Sequence, residues 1–510
     1  MRRNSVVVDG FSLTIENVVN VARNYARVEI AAPAIEAVRE GRKSVERILK
    51  SGRTVYGINT GFGKLADTKI NSGQLDKLQK NLLRSHSVGT GTPLAEDETR
   101  AIIVVRLNSL LRGNSGVREE VVCLLQEFLN RRVYPVIPRY GSLGASGDLA
   151  PSAHLALCLT GEGRVFNPNG KQVKAVKVLD RLRLKPIILK AKEGLAIING
   201  TQVMTGLGAL LIQDVETLTR NMDIGAAMTM EVLGASLSSF QARIQKLRPM
   251  HGQGHVAARI LRLLEDSEYI ESGERVQDPY SLRCVPQVHG AFYDALQYAK
   301  NVIEIELNSV TDNPIIFPET DDVVSGGNFH GQPVSLALDL LCIVVAEASI
   351  ISERRIDKLL SGFNPKLPLF LSGQPGLNSG FMVTQYTAAA LVAENKILSR
   401  PASTESAVVS AGQEDHASMG VTAALKAQRV IDHTLTVLAI EILCASQALD
   451  LLAMQDKKMM GQGTRIAYRE VREISGVLTE DRSLEPDIRK LADALKQERL
   501  SRAIEKTIQL

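Results

Sequence analysis

Ile431, Leu435, Leu438, Ile442, Ala445, Leu449 and Leu452 are separated alternately by four and three residues. That spacing lines one face of an α-helix. Similar patterns run over 202–219, 288–310, 334–360 and 385–398, each long for a globular helix. Strand-like alternation is scarce by comparison. Before residue 200, shorter patterns mix with loops rich in glycine and proline, and Pro135, Pro138, Gly141 and Gly144 punctuate the approach to Ala145. The pattern predicts a mainly α protein. A long-helix bundle would occupy 201–510 and a smaller mixed domain 1–200. The charged, amphipathic stretch 456–510 would supply surface helices. Thr311-Asp312-Asn313-Pro314 should end one long helix, and Ser325-Gly326-Gly327-Asn328 should precede the next. Polar junctions of this kind are where a bundle places a site.

Composition narrows the class. With 510 residues, 45% of them hydrophobic, the chain is long enough for an extensive core and more than one domain. Aromatic residues make up only 4% and tryptophan is absent, so aliphatic side chains must fill that core, which suits packed helices. A net charge of +4, with both signs interspersed, does not indicate a nucleic-acid surface. Cys123, Cys158, Cys284, Cys342 and Cys444 are odd in number and lack metal-site spacing; they suit free thiols of a reducing compartment. The opening residues up to Asp9 are too short and polar for a signal peptide. The apolar stretch 334–350 carries Asp339 and Glu347 and reads as a core helix, not a membrane span. A cytoplasmic protein with neither a membrane nor a nucleic-acid partner is expected.

The candidate chemistry lies at Gly141-Ser142-Leu143-Gly144-Ala145-Ser146-Gly147-Asp148-Leu149-Ala150-Pro151. If the Gly147 nitrogen attacks the Ala145 carbonyl carbon, a five-membered ring closes. Loss of water then gives an imidazolone, and dehydration of Ser146 adds an exocyclic methylidene. Glycine permits the close backbone approach, serine brings the hydroxyl that leaves, and alanine is small enough not to obstruct closure. The same residues also read as an ordinary loop-to-helix junction. In that reading Asp148 is the N-cap, Pro151 lies in the first turn and a helix follows.

The wider chain favours the reactive reading. Gly141 to Leu157 resembles the signature of the histidine and phenylalanine ammonia-lyase family, whose prosthetic group is 4-methylidene-imidazol-5-one. Five further blocks follow the family's order: Val55 to Gly63 around Tyr56, Asn199-Gly200-Thr201, Gln277 to Cys284, Gly326 to His330, and Gln413-Glu414-Asp415-His416. The resemblance covers nearly the whole chain. It implies a homotetramer acting on a small amino acid, with the prosthetic group made from Ala145, Ser146 and Gly147 and with no metal or pyridoxal phosphate. The pair Ser85-His86 points within the family to L-histidine as substrate and urocanate as product.

The same resemblance assigns roles. Tyr56 would remove the substrate's β-proton. A phenol is a base only when ionised, and helix N-termini converging on the site would supply a field of the right sign. Arg283 would hold the carboxylate, for which its planar fork is suited. Tyr280, three residues earlier and on the same face if the segment is helical, would stabilise the enolate-like intermediate. Asn199 and Gln277 would act near the ring and carboxylate, and Phe329 would pack against the modified loop. His86, Glu414 and Met382 would meet the substrate's side chain. Histidines 251 and 255 stand at i, i+4 spacing without a further ligand and read as surface or loop residues, not as a metal site.

Some positions depart from the histidine-enzyme pattern: Ser87, Asn114, Gln332, Val408, Val409 and Gly412. They leave a tyrosine ammonia-lyase or tyrosine 2,3-aminomutase as an alternative with the same prosthetic group. The fumarase and aspartase superfamily is a weaker alternative, because its Gly-Ser-Ser-x-x-Met-Pro-x-Lys-x-Asn loop is absent. A catalytically dead scaffold would be expected to have lost Ser146, Tyr56 or Arg283, and all three are present.

Overall fold

The computed structural model describes residues 5–167, 169–273 and 275–509. Its dominant elements are four helices, Gln202–Leu233, Val285–Leu307, Gln332–Leu360 and Gly420–Ala453. Each extends beyond its apolar pattern or begins a few residues away from it, because helical propensity carries the chain past the last buried position. Met382–Leu398 and the three helices of the charged tail, Gln462–Ile474, Glu485–Lys496 and Arg499–Glu505, are also present. Gln332–Leu360 and Gly420–Ala453 are long and apolar enough to cross a membrane, but 67% and 83% of their apolar windows are buried inside the protein. Cys158, Cys342 and Cys444 are buried, while Cys123 and Cys284 are partly exposed; all five are free thiols.

The chain forms two units, neither of them continuous in sequence. The first comprises 1–213, 299–339 and 401–425; the second comprises 214–298, 340–400 and 426–510. The expected single division at residue 200 is not among these boundaries: four of the five fall inside long helices, and the segments around Asn328 and Glu414 join the first unit.

The first unit is the mixed one. It holds every strand among the described residues: the parallel pair Ser5–Val8 and Arg27–Ile30, and short antiparallel pairings elsewhere. At its centre the helix Glu96–Leu110 is buried on all sides. In the same unit, Val45, Ile48, Ile58, Leu75, Ala191 and Ile316 form an apolar cluster. Ile58 lies two residues after Tyr56, so burial of its side chain anchors the tyrosine loop.

The second unit is helical. Its interior holds a chain of buried charges. Asp223 accepts from His289 Nδ1 (2.7 Å) and Arg259 Nη1 (2.9 Å). Arg355 grips Glu441 with two nitrogens, at 2.5 and 3.0 Å. Thr229 and Ser352 donate to the same carboxylate.

Candidate active site

The loop carrying Ala145, Ser146 and Gly147 is clamped from both sides. Gly144 N–H donates to Ser142 Oγ (3.2 Å), whose hydroxyl donates to Asp148 Oδ1 (2.9 Å). Ser418 donates its hydroxyl to the Gly144 carbonyl (3.1 Å), and Met419 N–H donates to the Leu143 carbonyl (2.8 Å). Across the loop, Asn199 Nδ2 donates to the Ser146 carbonyl (2.7 Å), and Asp148 N–H donates to the Gly200 carbonyl (2.7 Å). Gly147 lies so close to Gly200 that a Cβ would stand 2.3 Å from the Gly200 oxygen. Its φ of +72° is also the left-handed region. No other residue type fits.

These features accommodate the methylidene-imidazolone. Position 147 has no side chain to obstruct ring closure, and Ala145 is buried while Ser146 is half-exposed. Asn199 Oδ1 is buried beside the loop without a hydrogen-bond partner.

Asp148 does not cap its own helix, Leu149–Leu159. Its carboxylate instead accepts from Val203 N–H and Met204 N–H, both at 2.9 Å, and caps the helix Gln202–Leu233. The capping rule supplied the right residue and the wrong helix, because a neighbouring N-terminus offered two unsatisfied donors. Burial outweighs those donors and pushes the Asp148 carboxyl up to about 6. Three helices thus begin against this loop: Leu149–Leu159, Gln202–Leu233 and Gly420–Ala453.

The first unit also holds Tyr56, His86, Phe329 and Glu414. The half-buried Tyr56 accepts Gly63 N–H at its phenol oxygen (3.3 Å), which leaves its own O–H uncommitted. His86 is the last residue of the helix Leu75–His86. Its Nδ1 lies 2.9 Å from the Leu82 carbonyl and 3.0 Å from Ser85 Oγ. A carbonyl only accepts, so Nδ1 carries the proton and Nε2 presents a lone pair. Burial lowers the His86 pKa against opposing contributions from Leu82 and Glu414, which keeps the ring neutral near pH 7. That contribution places Glu414 within electrostatic reach of His86. Glu414 is held by a backbone bridge to Val409 across Ser410, Ala411 and Gly412, all in the left-handed region. Phe329 is half-buried. His330 and His416 stack at 5.5 Å in loops.

The second unit holds Gln277, Tyr280, Arg283 and Met382. Tyr280–Arg283 is one helical turn, so the two end residues share a face; the guanidinium lies 5.0 Å from the Tyr280 ring centroid. Arg283 has no ion pair among the described residues, and its Nε is buried without a partner. Tyr280 is 70% exposed. Gln277 is also exposed, and Met382 opens the helix Met382–Leu398. Asp278 fixes the segment by accepting Ser236 N–H (2.7 Å) and pairing with Arg275 (3.1 Å). Histidines 251 and 255 lie on the helix His251–Leu263, not in a loop, with rings 6.5 Å apart.

Several contributors escaped the sequence reading. Ser418 and Met419 clamp the loop from far along the chain, and no local signal marks them. Ser85 and the Leu82 carbonyl set the His86 tautomer; the i, i+4 spacing of Leu82 and His86 is the one signal available.

Residues 13–473 match the family described as aromatic amino acid lyase. A histidine ammonia-lyase of Alkaliphilus oremlandii is 46% identical over 507 residues, covering 99% of each chain. The crystal structure of histidine ammonia-lyase from Trypanosoma cruzi is similar with a TM-score of 0.92 at 40% identity, covering 99% of this chain and 96% of that one. The tyrosine aminomutase of Streptomyces globisporus is similar with a TM-score of 0.93 at 38% identity, covering 99% and 100%.

Proposed function

The chain belongs to the aromatic amino acid lyase family and is a carbon–nitrogen lyase, and on that premise we propose that it eliminates ammonia from L-histidine to give urocanate. The observation that carries the reading is the clamped loop, with Gly147 against Gly200 and the Ser146 carbonyl held by Asn199. A 4-methylidene-imidazol-5-one made from Ala145, Ser146 and Gly147 supplies the electrophile and electron sink that turn the substrate's amine into a leaving group. The reaction requires no metal and no pyridoxal phosphate.

The chain's own residues do the rest. Tyr56 takes the β-proton, its oxygen positioned by Gly63 N–H. Arg283, without a carboxylate partner among the described residues, grips the substrate carboxylate through its planar fork. Tyr280 stands beside that fork and stabilises the charge that develops on the carboxylate side. Asn199 and Gln277 contribute amides near the ring and the carboxylate. Phe329 packs against the loop, and Met382 lines the side-chain pocket.

His86 accepts one imidazole N–H of the substrate at Nε2, and the Glu414 carboxylate accepts the second N–H of the ring in its protonated, imidazolium form. A phenyl ring would leave both unpaired at a cost in desolvation. A second reading keeps the same chemistry with tyrosine as substrate. The His86 lone pair favours it, because that acceptor would also take a phenol hydroxyl.

The active enzyme is a homotetramer with active sites shared between subunits. Exposed apolar side chains recur along the long helices: Tyr298 and Ile305, Leu336 and Ile343, Val383, Tyr386 and Ile397. Such stripes mark association surfaces. Mixing Tyr56→Phe and Arg283→Ala proteins after dissociation should restore part of the activity, and a monomer by light scattering would exclude sharing.

The deciding assay supplies histidine, tyrosine and phenylalanine separately and measures both alkene and β-amino-acid products. Faster coumarate or β-tyrosine than urocanate would overturn the histidine assignment. An intact mass showing no loss of water would overturn the internal prosthetic group.

A further inference from the structure

Behind the clamped loop, within the same unit, lies a cluster of buried charge that none of the assigned roles uses. Arg106 and Lys192 are both fully buried. Lys192 Nζ meets Asp312 Oδ2 at 2.7 Å, and Ser115 holds the other Asp312 oxygen at 3.1 Å. Glu306 accepts the Thr201 hydroxyl, and burial raises its pKa. Among the described residues no carboxylate lies within ion-pair distance of Arg106; Asp312, which acts on it electrostatically, is bonded to Lys192. The single hydrogen bond of Arg106 is a long one, from Nη1 to Gln202 Oε1 at 3.5 Å, and its Nε and Nη2 are buried without partners.

Arg100, six residues earlier on the same helix, shows how a purely structural buried guanidinium is satisfied. Its Nε and Nη2 donate to the Val21 carbonyl and its Nη1 donates to the Leu129 carbonyl, at 2.7 to 3.0 Å. The fold thus satisfies every nitrogen of one buried arginine and leaves two nitrogens of the other without an acceptor. Leaving a buried cation unanswered is costly, and such costs concentrate where charge is used.

The position of Arg106 indicates the use. A Cβ on Gly200 would stand 2.9 Å from Arg106 Nη1, and a Cβ on Gly147 would stand 2.3 Å from the Gly200 oxygen. Gly200 therefore abuts both the guanidinium and Gly147, whose nitrogen must attack Ala145. We propose that Arg106 is a positioning residue for closure of the Ala145-Ser146-Gly147 ring, acting through Gly200 to place a fixed positive charge behind the Gly147 nitrogen.

The Gly147 nitrogen bonds to the Ala145 carbonyl carbon. The Ala145 oxygen leaves as water with the protons of the Gly147 and Ser146 amides. Ser146 then loses its hydroxyl and α-hydrogen as a second water, so no oxidant is needed. An amide nitrogen is a nucleophile only as negative charge builds on it, and a nearby buried cation favours that charge.

The inference rests on the prosthetic group proposed above, and the intact mass of full-length protein separates the two. If the wild type itself loses no water, the prosthetic-group reading fails. If the wild type loses two waters, the variants decide. Arg106→Met and Arg106→Gln should fold, by circular dichroism and by assembly size, but lose the two waters at least about tenfold more slowly after refolding, a barrier change of about 1.4 kcal/mol. Arg106→Lys, which keeps the charge, should stay within about threefold of the wild type.

Thermal midpoints supply the control, since a merely structural arginine would lower them in all three variants and leave the dehydration rate unchanged. A folded Arg106→Met or Arg106→Gln that dehydrates at the wild-type rate overturns the proposal. So does an Arg106→Lys as slow as the neutral variants. If no neutral variant folds, the proposal also falls, because Arg106 is then a requirement of the fold and not of the loop.

Discussion

The two units each bury a set of charges, and they do so in opposite ways. In the second, each arginine of the set has a carboxylate within 3.0 Å, Arg259 on Asp223 and Arg355 on Glu441, and the His289 ring donates to Asp223 as well. In the first, Arg106 has no carboxylate partner, Asn199 Oδ1 has no donor, and Asp148 is pushed up to about 6. A satisfied network stabilises one arrangement of helices. An unsatisfied one costs stability, and it surrounds the loop to which the chemistry is assigned. Carboxylate pairing of the arginines, not burial, separates the two, although Arg259 Nε in the second set is itself without a partner.

The largest effect should come from Ser146→Ala. With no hydroxyl to eliminate, nearly all ammonia release should disappear while the circular dichroism stays unchanged. Substantial turnover in the folded variant would remove the reason for treating the first unit as the reactive one.

Next in size is the second unit's own network. Arg355→Met leaves Glu441 buried with only hydroxyl donors and should cost about 3–5 kcal/mol, read as a lower urea midpoint. Material that remains folded should still lose two waters. If dehydration failed while the fold persisted, the division of labour between the units would be wrong.

Arg283→Lys tests the carboxylate-binding role proposed for Arg283. Lysine keeps the charge and loses the fork, and a hydrogen bond between charged groups is worth about 1.5–3 kcal/mol. A fall in kcat/KM of about 10- to 100-fold, mostly in KM, is expected. Near-normal kcat/KM would return Arg283 to a structural role.

The smallest effect is a contrast in acid sensitivity. Burial lowers the His289 pKa below its ordinary 6.5, so the unfolded chain takes up a proton that the folded unit refuses. Its contribution is fully present above pH 6.5 and is lost as pH falls. Asp148 has the opposite sign. Its pKa rises from 3.8 to about 6, so its contribution is lost as pH rises through about 6 and regained on acidification. Each site contributes at most about 1.4 kcal/mol per pH unit. Hydrogen exchange at pH 7 and pH 5 should show protection falling around His289 and holding around Val203 and Met204. Equal loss in both places would refute the contrast.

Local pattern was enough for the long helices, since three-and-four spacing of apolar residues needs no partner to be recognised. It was also enough for the reactive tripeptide, because ring closure uses three consecutive residues, and for the Tyr280–Arg283 pairing, because one helical turn sets it. Tertiary structure alone decided which helix Asp148 caps, since an unsatisfied N-terminus is found in space and not in sequence. It also brought Ser418 and Met419 onto the loop, joined residues 299–339 and 401–425 to the first unit, and left Arg106 unpaired while Arg100 was satisfied. Both arginines lie in one helix and look alike in the sequence. What separates them is which carbonyls and carboxylates the rest of the chain carries to each side chain, and that depends on long-range packing.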